Sequence, residues 1–153
     1  MRVILVAPTG HGVGLTSVCL GLLRAFDRAG ARVAYAKPVA QPMMGEEDRS
    51  PALARLIARV DPPPAITPDE AERLLASGAE QELMERAVAA CATGHGAEVL
   101  VVEALVPGHQ LTWSTRINRA LASALDAEVV LVSTVDRPAD ELARAAEIAG
   151  RVY

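Results

Sequence analysis

Hydrophobic positions along the chain switch between two periods. Residues 3–7 are an unbroken apolar run, Val3, Ile4, Leu5, Val6 and Ala7, that stops at Pro8 and Thr9. A short, β-branched run of this kind predicts a strand buried on both faces. Gly10, Gly12 and Gly14 follow as a flexible loop. From Leu15 the period becomes helical: Val18, Cys19, Leu22, Leu23 and Phe26 recur on one face, and Gly30 is a natural stop. Residues 32–36 predict a second strand, closed by Lys37 and Pro38. Strand, glycine loop, helix and strand make a βαβ unit with an expected right-handed crossover.

The next stretch, residues 39–64, is the least regular. Met43, Met44 and Gly45 with Glu46, Glu47, Asp48 and Arg49 predict a polar loop, and residues 51–60 a short helix broken by Pro62, Pro63 and Pro64. Thr67, Pro68 and Glu70 form a helix-start signature. Thr67 is placed to cap, Pro68 fits the first turn, and Glu70 completes a capping box. That helix is expected to end at Ala76 before Ser77 and Gly78, and another to run over residues 79–93. Residues 98–102 predict a third strand ending in Glu103. A helix from Ser114 or Thr115 puts Ile117, Leu121, Ala124 and Leu125 on one face. Residues 127–132 predict the fourth strand. A last helix over 136–150 turns Leu142, Ala145 and Ile148 inward.

Alternating strands and helices predict one α/β domain over residues 1–153, a doubly wound parallel sheet. In such sheets ligands sit at the carboxyl ends of the strands. Three polar features fall there: the glycine loop, Lys37 and Glu103. By analogy with phosphate-loop folds, the expected strand order is 2-3-1-4.

Composition agrees with one packed domain. Hydrophobic residues make up 51% of the 153 and charged residues 22%, enough to fill a core and too apolar for a disordered tail. Aromatics at 3% leave a core of Leu, Val, Ile and Ala. The net charge of −4 and absence of a basic patch argue against nucleic acid as partner. The first apolar run is too short for a signal peptide or membrane span, so no membrane partner is expected. Cys19 and Cys91 make no metal spacing and read as free buried thiols, which suits a reducing cytoplasm.

A complete phosphate loop reads GxxxxGK[ST]; its glycines expose N–H groups to phosphate, its lysine bridges the outer phosphates, and its hydroxyl holds magnesium. Here the segment is Thr9, Gly10, His11, Gly12, Val13, Gly14, Leu15, Thr16 and Ser17. Gly14 and Thr16 stand where the motif wants them. Thr9 replaces the first glycine and Leu15 replaces the lysine. The loop still offers bare N–H groups at a helix N-terminus, an anion site by dipole alone, without the positive charge. A plain βα turn is the bland alternative. A dinucleotide loop is a poor one, since GxGxxG meets Ser17 or Leu15 where its last glycine belongs and strand two ends in Lys37, not an acid.

Lys37 reads either as a solvated strand-end lysine or as a contact to phosphate or carboxylate. Glu103 reads either as a cap on the following turn or as the acid that holds magnesium, directly or through water. Thr16 and Glu103 are the candidate metal ligands, for magnesium if for any ion. His11 lies in the loop, within reach of an anion or simply exposed. His95 and His109 have no ligand partners at metal spacing. The candidate binding set is therefore Gly10, His11, Gly12, Val13, Gly14, Leu15, Thr16, Ser17, Lys37 and Glu103, and the expected ligand a nucleotide or small anionic metabolite.

Several segments together resemble the N-terminal domain of long bacterial phosphate acetyltransferases. They are Ala7-Pro8-Thr9-Gly10, Val13-Gly14-Leu15-Thr16-Ser17, Ala36-Lys37-Pro38-Val39-Ala40-Gln41-Pro42, Val101-Val102-Glu103-Ala104-Leu105-Val106-Pro107, and residues 125–132. The resemblance is weakest over residues 43–66. That domain is in turn similar to dethiobiotin synthetase, an ATP-dependent ring-closing ligase. The ligase loop ends Gly-Lys-Thr, and the lysine of its Lys-Pro-Val segment serves the active site. By that match Lys37 and Thr16 are kept and the loop lysine is Leu15, a substitution that looks typical of the acetyltransferase domain.

The resemblance implies a noncatalytic regulatory, effector-sensing domain. Its parent would move acetyl between coenzyme A and phosphate through a C-terminal catalytic domain outside this chain. Two alternatives remain: a working ATP-dependent ligase using Lys37 in place of the lost lysine, and an assembly module with a vestigial pocket. The expected order also leaves strand four at an edge with Val129, Val130 and Leu131, so homo-oligomerisation is expected.

Overall fold

The computed structural model describes residues 1–41, 48–92, 96–108, 111–134, 136 and 138–153. The predicted polar loop over 43–47, the helix end at Thr93, and His95 and His109 lie outside these residues.

The chain forms β1 (Arg2–Pro8), α1 (Leu15–Arg28), β2 (Val33–Ala36), α2 (Ser50–Ala58), α3 (Pro68–Ala76), α4 (Glu80–Cys91), β3 (Val99–Glu103), α5 (Ser114–Ala124), β4 (Glu128–Val132) and α6 (Ala139–Gly150). The sheet is parallel, with order β2-β3-β1-β4. Fold class and strand order match the sequence-based expectation. Each predicted element is present, with ends shifted by up to three residues.

Side chains alternate across the central strands because successive Cβ atoms point to opposite faces. Ile4 and Val6 of β1 and Val99 and Val101 of β3 pack with Leu15, Cys19 and Leu23 of α1 and with Ala54 and Ala58 of α2. Leu5, Ala7, Leu100 and Val102 face the other way, with Cys91 of α4 and Ala122 of α5. A further cluster, including Leu74, Leu83, Ala87, Ile117 and Leu121, joins α3, α4 and α5. Both faces of the sheet are thus covered, and residues 3–7 of β1 and 99–102 of β3 are apolar at every position.

Three expectations need correction. Ile148 is not inward: it is 58% exposed, and α6 has no buried residue. The reason is β4, an edge strand with no partner on its outer side among the described residues, which gives α6 too little sheet to lie on. Ala124 is also exposed. Helix α5 instead buries Ile117, Asn118, Leu121 and Ala122, a rotation set by Asn118, whose side-chain amide bonds both the N–H and the carbonyl of Leu105 at 2.9 and 2.8 Å. The capping box is half formed. Thr67 Oγ1 accepts from the Glu70 N–H at 3.3 Å, but the Glu70 carboxylate reaches Arg86 at 2.8 Å instead of turning back.

One link was not foreseen. Val39 and Ile66 form a parallel bridge, with Ala40 N–H to Ile66 O at 2.8 Å and Ile66 N–H to Pro38 O at 2.9 Å. It anchors the chain leaving Lys37. The capping contact gives a direct check on helix α3: Thr67→Ala should cost about 1 kcal/mol in chemical denaturation, with little change in the slope against denaturant.

Candidate functional site

The carboxyl ends of β1, β2 and β3 bring the loop, Lys37 and Glu103 together as the pattern predicted. β1 delivers the chain at Pro8 into the glycine loop. Gly12 and Gly14 take positive φ, 65° and 77°, which favours glycine strongly over residues with a Cβ. Gly14 is the N-cap of α1, and no side chain caps that helix. The first-turn N–H groups therefore have no partner within the helix. His11, Gly12, Gly14 and Ser17 are exposed; Gly10, Val13 and Thr16 are half-buried.

Leu15 is different. It occupies the lysine position of the motif, yet its side chain is 5% exposed and packs in the core with Ile4 and Val6. The side chain at this position thus serves the underside of the loop and is not presented to a ligand.

Lys37 is not a solvated strand-end lysine. Its side chain is 6% exposed, and Nζ lies 2.8 Å from Glu103 Oε1 and 2.8 Å from Asp48 Oδ2. It also donates to Ser50 Oγ at 3.3 Å. Glu103 does not cap a turn. Its Oε1 accepts from Thr16 Oγ1 and Ser50 Oγ, both at 3.0 Å, while Oε2 accepts from the Tyr35 hydroxyl at 2.9 Å. Thr16 and Ser50 hydroxyls lie 3.1 Å apart. Asp48 accepts from the N–H groups of Gln41 and Ser50 at 2.8 and 3.0 Å. Four stretches of chain meet on one carboxylate–ammonium–carboxylate group.

The electrostatics follow from burial and pairing. Burial alone would pull the Lys37 ammonium down, but Glu103 and Asp48 outweigh it and raise it above its ordinary value. Burial would likewise raise Asp48; Lys37 and the two N–H bonds overcome this and lower it. Burial first, then the neighbouring Glu103 charge, pushes the Tyr35 hydroxyl and the Cys19 thiol up. Burial and the adjacent carboxylate thus favour the protonated form of both groups.

The pattern had singled out Lys37, Thr16 and Glu103 but not Tyr35, Asp48 or Ser50. Gln41 belongs to the Lys37-Pro38-Val39-Ala40-Gln41-Pro42 segment. Its amide accepts from Val106 N–H at 2.8 Å and donates to Val106 O at 2.7 Å, tying the segment after β2 to that after β3. Tyr35 read as one more strand residue, and Asp48 and Ser50 sit in the irregular stretch.

Comparisons with known proteins bear on the family and the fold. The family model described as "AAA domain" matches residues 2–148. Phosphate acetyltransferase of Pseudomonas putida is 40% identical over 158 residues, covering 99% of this chain and 22% of the relative. That of Deinococcus radiodurans is 40% identical over 157 residues, covering 100% and 22%. The chain thus spans about a fifth of the length of these relatives, and the resemblance to their N-terminal domain read from the motifs stands. Among solved structures, the signal recognition particle 54 kDa protein of Aeropyrum pernix in complex with GDP superposes with a TM-score of 0.56 at 19% identity, over 97% of this chain and 33% of that one. That likeness concerns the fold.

The buried cluster predicts its own pH dependence. Asp48 is lowered, so its contribution is present above its ordinary 3.8 and is lost as pH falls through the depressed value. Lys37 is raised, so its contribution is present below its ordinary 10.5 and is lost as pH rises through the raised one. At pH 7 Asp48→Asn should unfold at lower denaturant than wild type. The gap should narrow in a pH series that descends below 3.8.

Proposed function

The chain belongs to the AAA domain family, and from that premise we propose that it is a ligand-sensing domain without catalysis of its own. In this reading it regulates a phosphate acetyltransferase whose acetyl-transferring domain is C-terminal to it. The reading rests on one observation: neither lysine position of the site is free to work on a phosphate. Leu15 turns its side chain into the core, and Lys37 is held between Glu103 and Asp48. Loss of one group that stabilises a transition state costs about 100- to 1000-fold in rate. The ATP-dependent ligase alternative needs Lys37 as a free substitute, and this arrangement weighs against it. What remains is a glycine loop with an uncapped helix start, suited to hold an anion weakly. The ligand is a nucleotide or small anionic metabolite, in a cytoplasmic setting that suits two buried free thiols.

A thermal-shift series with nucleotides, NADH, pyruvate and phosphoenolpyruvate tests this. A bound ligand at 100 times its dissociation constant adds about 2.7 kcal/mol. Gly10→Asp is the control. A Cβ there meets nothing within 4 Å, and the new carboxylate competes for the same N–H groups, so the ligand's effect should vanish while the fold stays. ATP hydrolysis at about 1 per second or faster would overturn the noncatalytic reading.

Assembly is a second element of the proposal. β4 is the sheet edge, and Val130 on it is 36% exposed. An apolar edge strand with unpaired N–H and C=O groups is a template for another chain. Light scattering over a concentration series should show self-association that Val130→Lys weakens without loss of fold; a strictly monomeric wild type at high concentration refutes it.

A further inference from the structure

The motif makes Thr16 and Glu103 candidate ligands for magnesium, if for any ion, and the residues around them do not fit one. Magnesium takes six oxygens in near-octahedral array at about 2.0–2.1 Å. Here the Thr16 hydroxyl donates to Glu103 Oε1, which also receives Ser50 Oγ and Lys37 Nζ. The second Glu103 oxygen holds the Tyr35 hydroxyl. Asp48, the other carboxylate of the group, gives Oδ2 to Lys37 and the Gln41 N–H and Oδ1 to the Ser50 N–H. Every carboxylate oxygen that a metal would use already has a donor.

We propose that the Lys37 ammonium is the built-in cation of this pocket, standing where a phosphate-loop site would use a divalent ion. The carboxylate cluster therefore holds no divalent ion, and any anion is left to the N–H groups of the glycine loop. This deepens the ligand-sensing reading and rests on it for the anion, but not for the cation. The charges make the point. Glu103 and Asp48 bring two negative charges and Lys37 one positive, so the cluster carries one net negative charge. A divalent ion added beside Lys37 would face a fixed ammonium at close range with side chains 6%, 8% and 2% exposed, where solvent screens little. Without Lys37 the same oxygens, Thr16 Oγ1, Ser50 Oγ and the two carboxylates, present two negative charges to one divalent ion.

The proposal predicts that removing the lysine creates a metal site. Mn2+ alone is the probe, followed by electron paramagnetic resonance on the chain with no anion added, so that failure of the anion reading leaves the result intact. Wild type should bind no more Mn2+ than Glu103→Gln. Lys37→Met should bind one Mn2+ about tenfold or more tighter than wild type. Glu103→Gln in the Lys37→Met background should abolish that binding. Mn2+ should also raise the melting temperature of Lys37→Met and leave wild type unchanged, because the metal would replace the charge that the substitution removes. A wild type that binds Mn2+ at a site lost on Glu103→Gln overturns the proposal, and so does a folded Lys37→Met that binds no tighter than wild type. If Lys37→Met does not fold without metal, refolding on Mn2+ addition supports the proposal and persistent unfolding with Mn2+ at millimolar excess counts against it.

Discussion

A single ammonium between two carboxylates fixes the upper edge of this domain. Lys37 follows β2, Glu103 ends β3, Thr16 lies in the first turn of α1, Ser50 opens α2 and Asp48 leads into it. Burying charges is costly unless each is paired and its remaining hydrogen-bonding capacity is filled. The cluster meets both conditions, with Tyr35 on the far Glu103 oxygen and backbone N–H groups on Asp48. A cluster of that kind contributes little net stability compared with an apolar replacement, yet breaking it by one residue is severe. Its effect is to allow one relative placement of the loop, β2, β3 and α2.

The same constraint separates binding from chemistry in this fold. A phosphate loop has two assets: N–H groups aimed at an anion and a cation that follows the charge as it moves. The backbone part is present, because Gly12 and Gly14 hold the left-handed geometry it requires. The cation is present only as a structural charge. Scaffold and dipole survive such a change, and the chain shares its fold with a GDP-bound protein at 19% identity.

The sheet was legible because a doubly covered parallel strand is apolar where both faces are covered, and residues 3–7 and 99–102 show that without interruption. The edge was legible for a related reason: strand ends are where polar residues reappear, which picked out Lys37, Thr16 and Glu103. Their partners were not legible. Asp48 and Ser50 carry no periodicity, and nothing local says that residues 11 and 13 positions after Lys37 return to it. Tyr35 looks like any aromatic strand residue until its hydroxyl is seen on Glu103. Ile148 misled because helical spacing reports a face, and a face needs a neighbour; beside an unpaired β4 there is too little of one.

The register of β1 has a consequence for the order of events in folding. Val6 pairs with Glu103 on one side and with Val130 on the other. The first strand of the chain is therefore central in the sheet, and both of its neighbours lie about a hundred residues or more downstream in sequence. Closing loops that long slows folding relative to helical proteins of similar size. An emerging chain holds Arg2–Pro8 without a partner strand until β3 has been made, so the apolar segment that bears the glycine loop is exposed longest. The pocket can only be a late product of folding, assembled after the two halves of the chain have met.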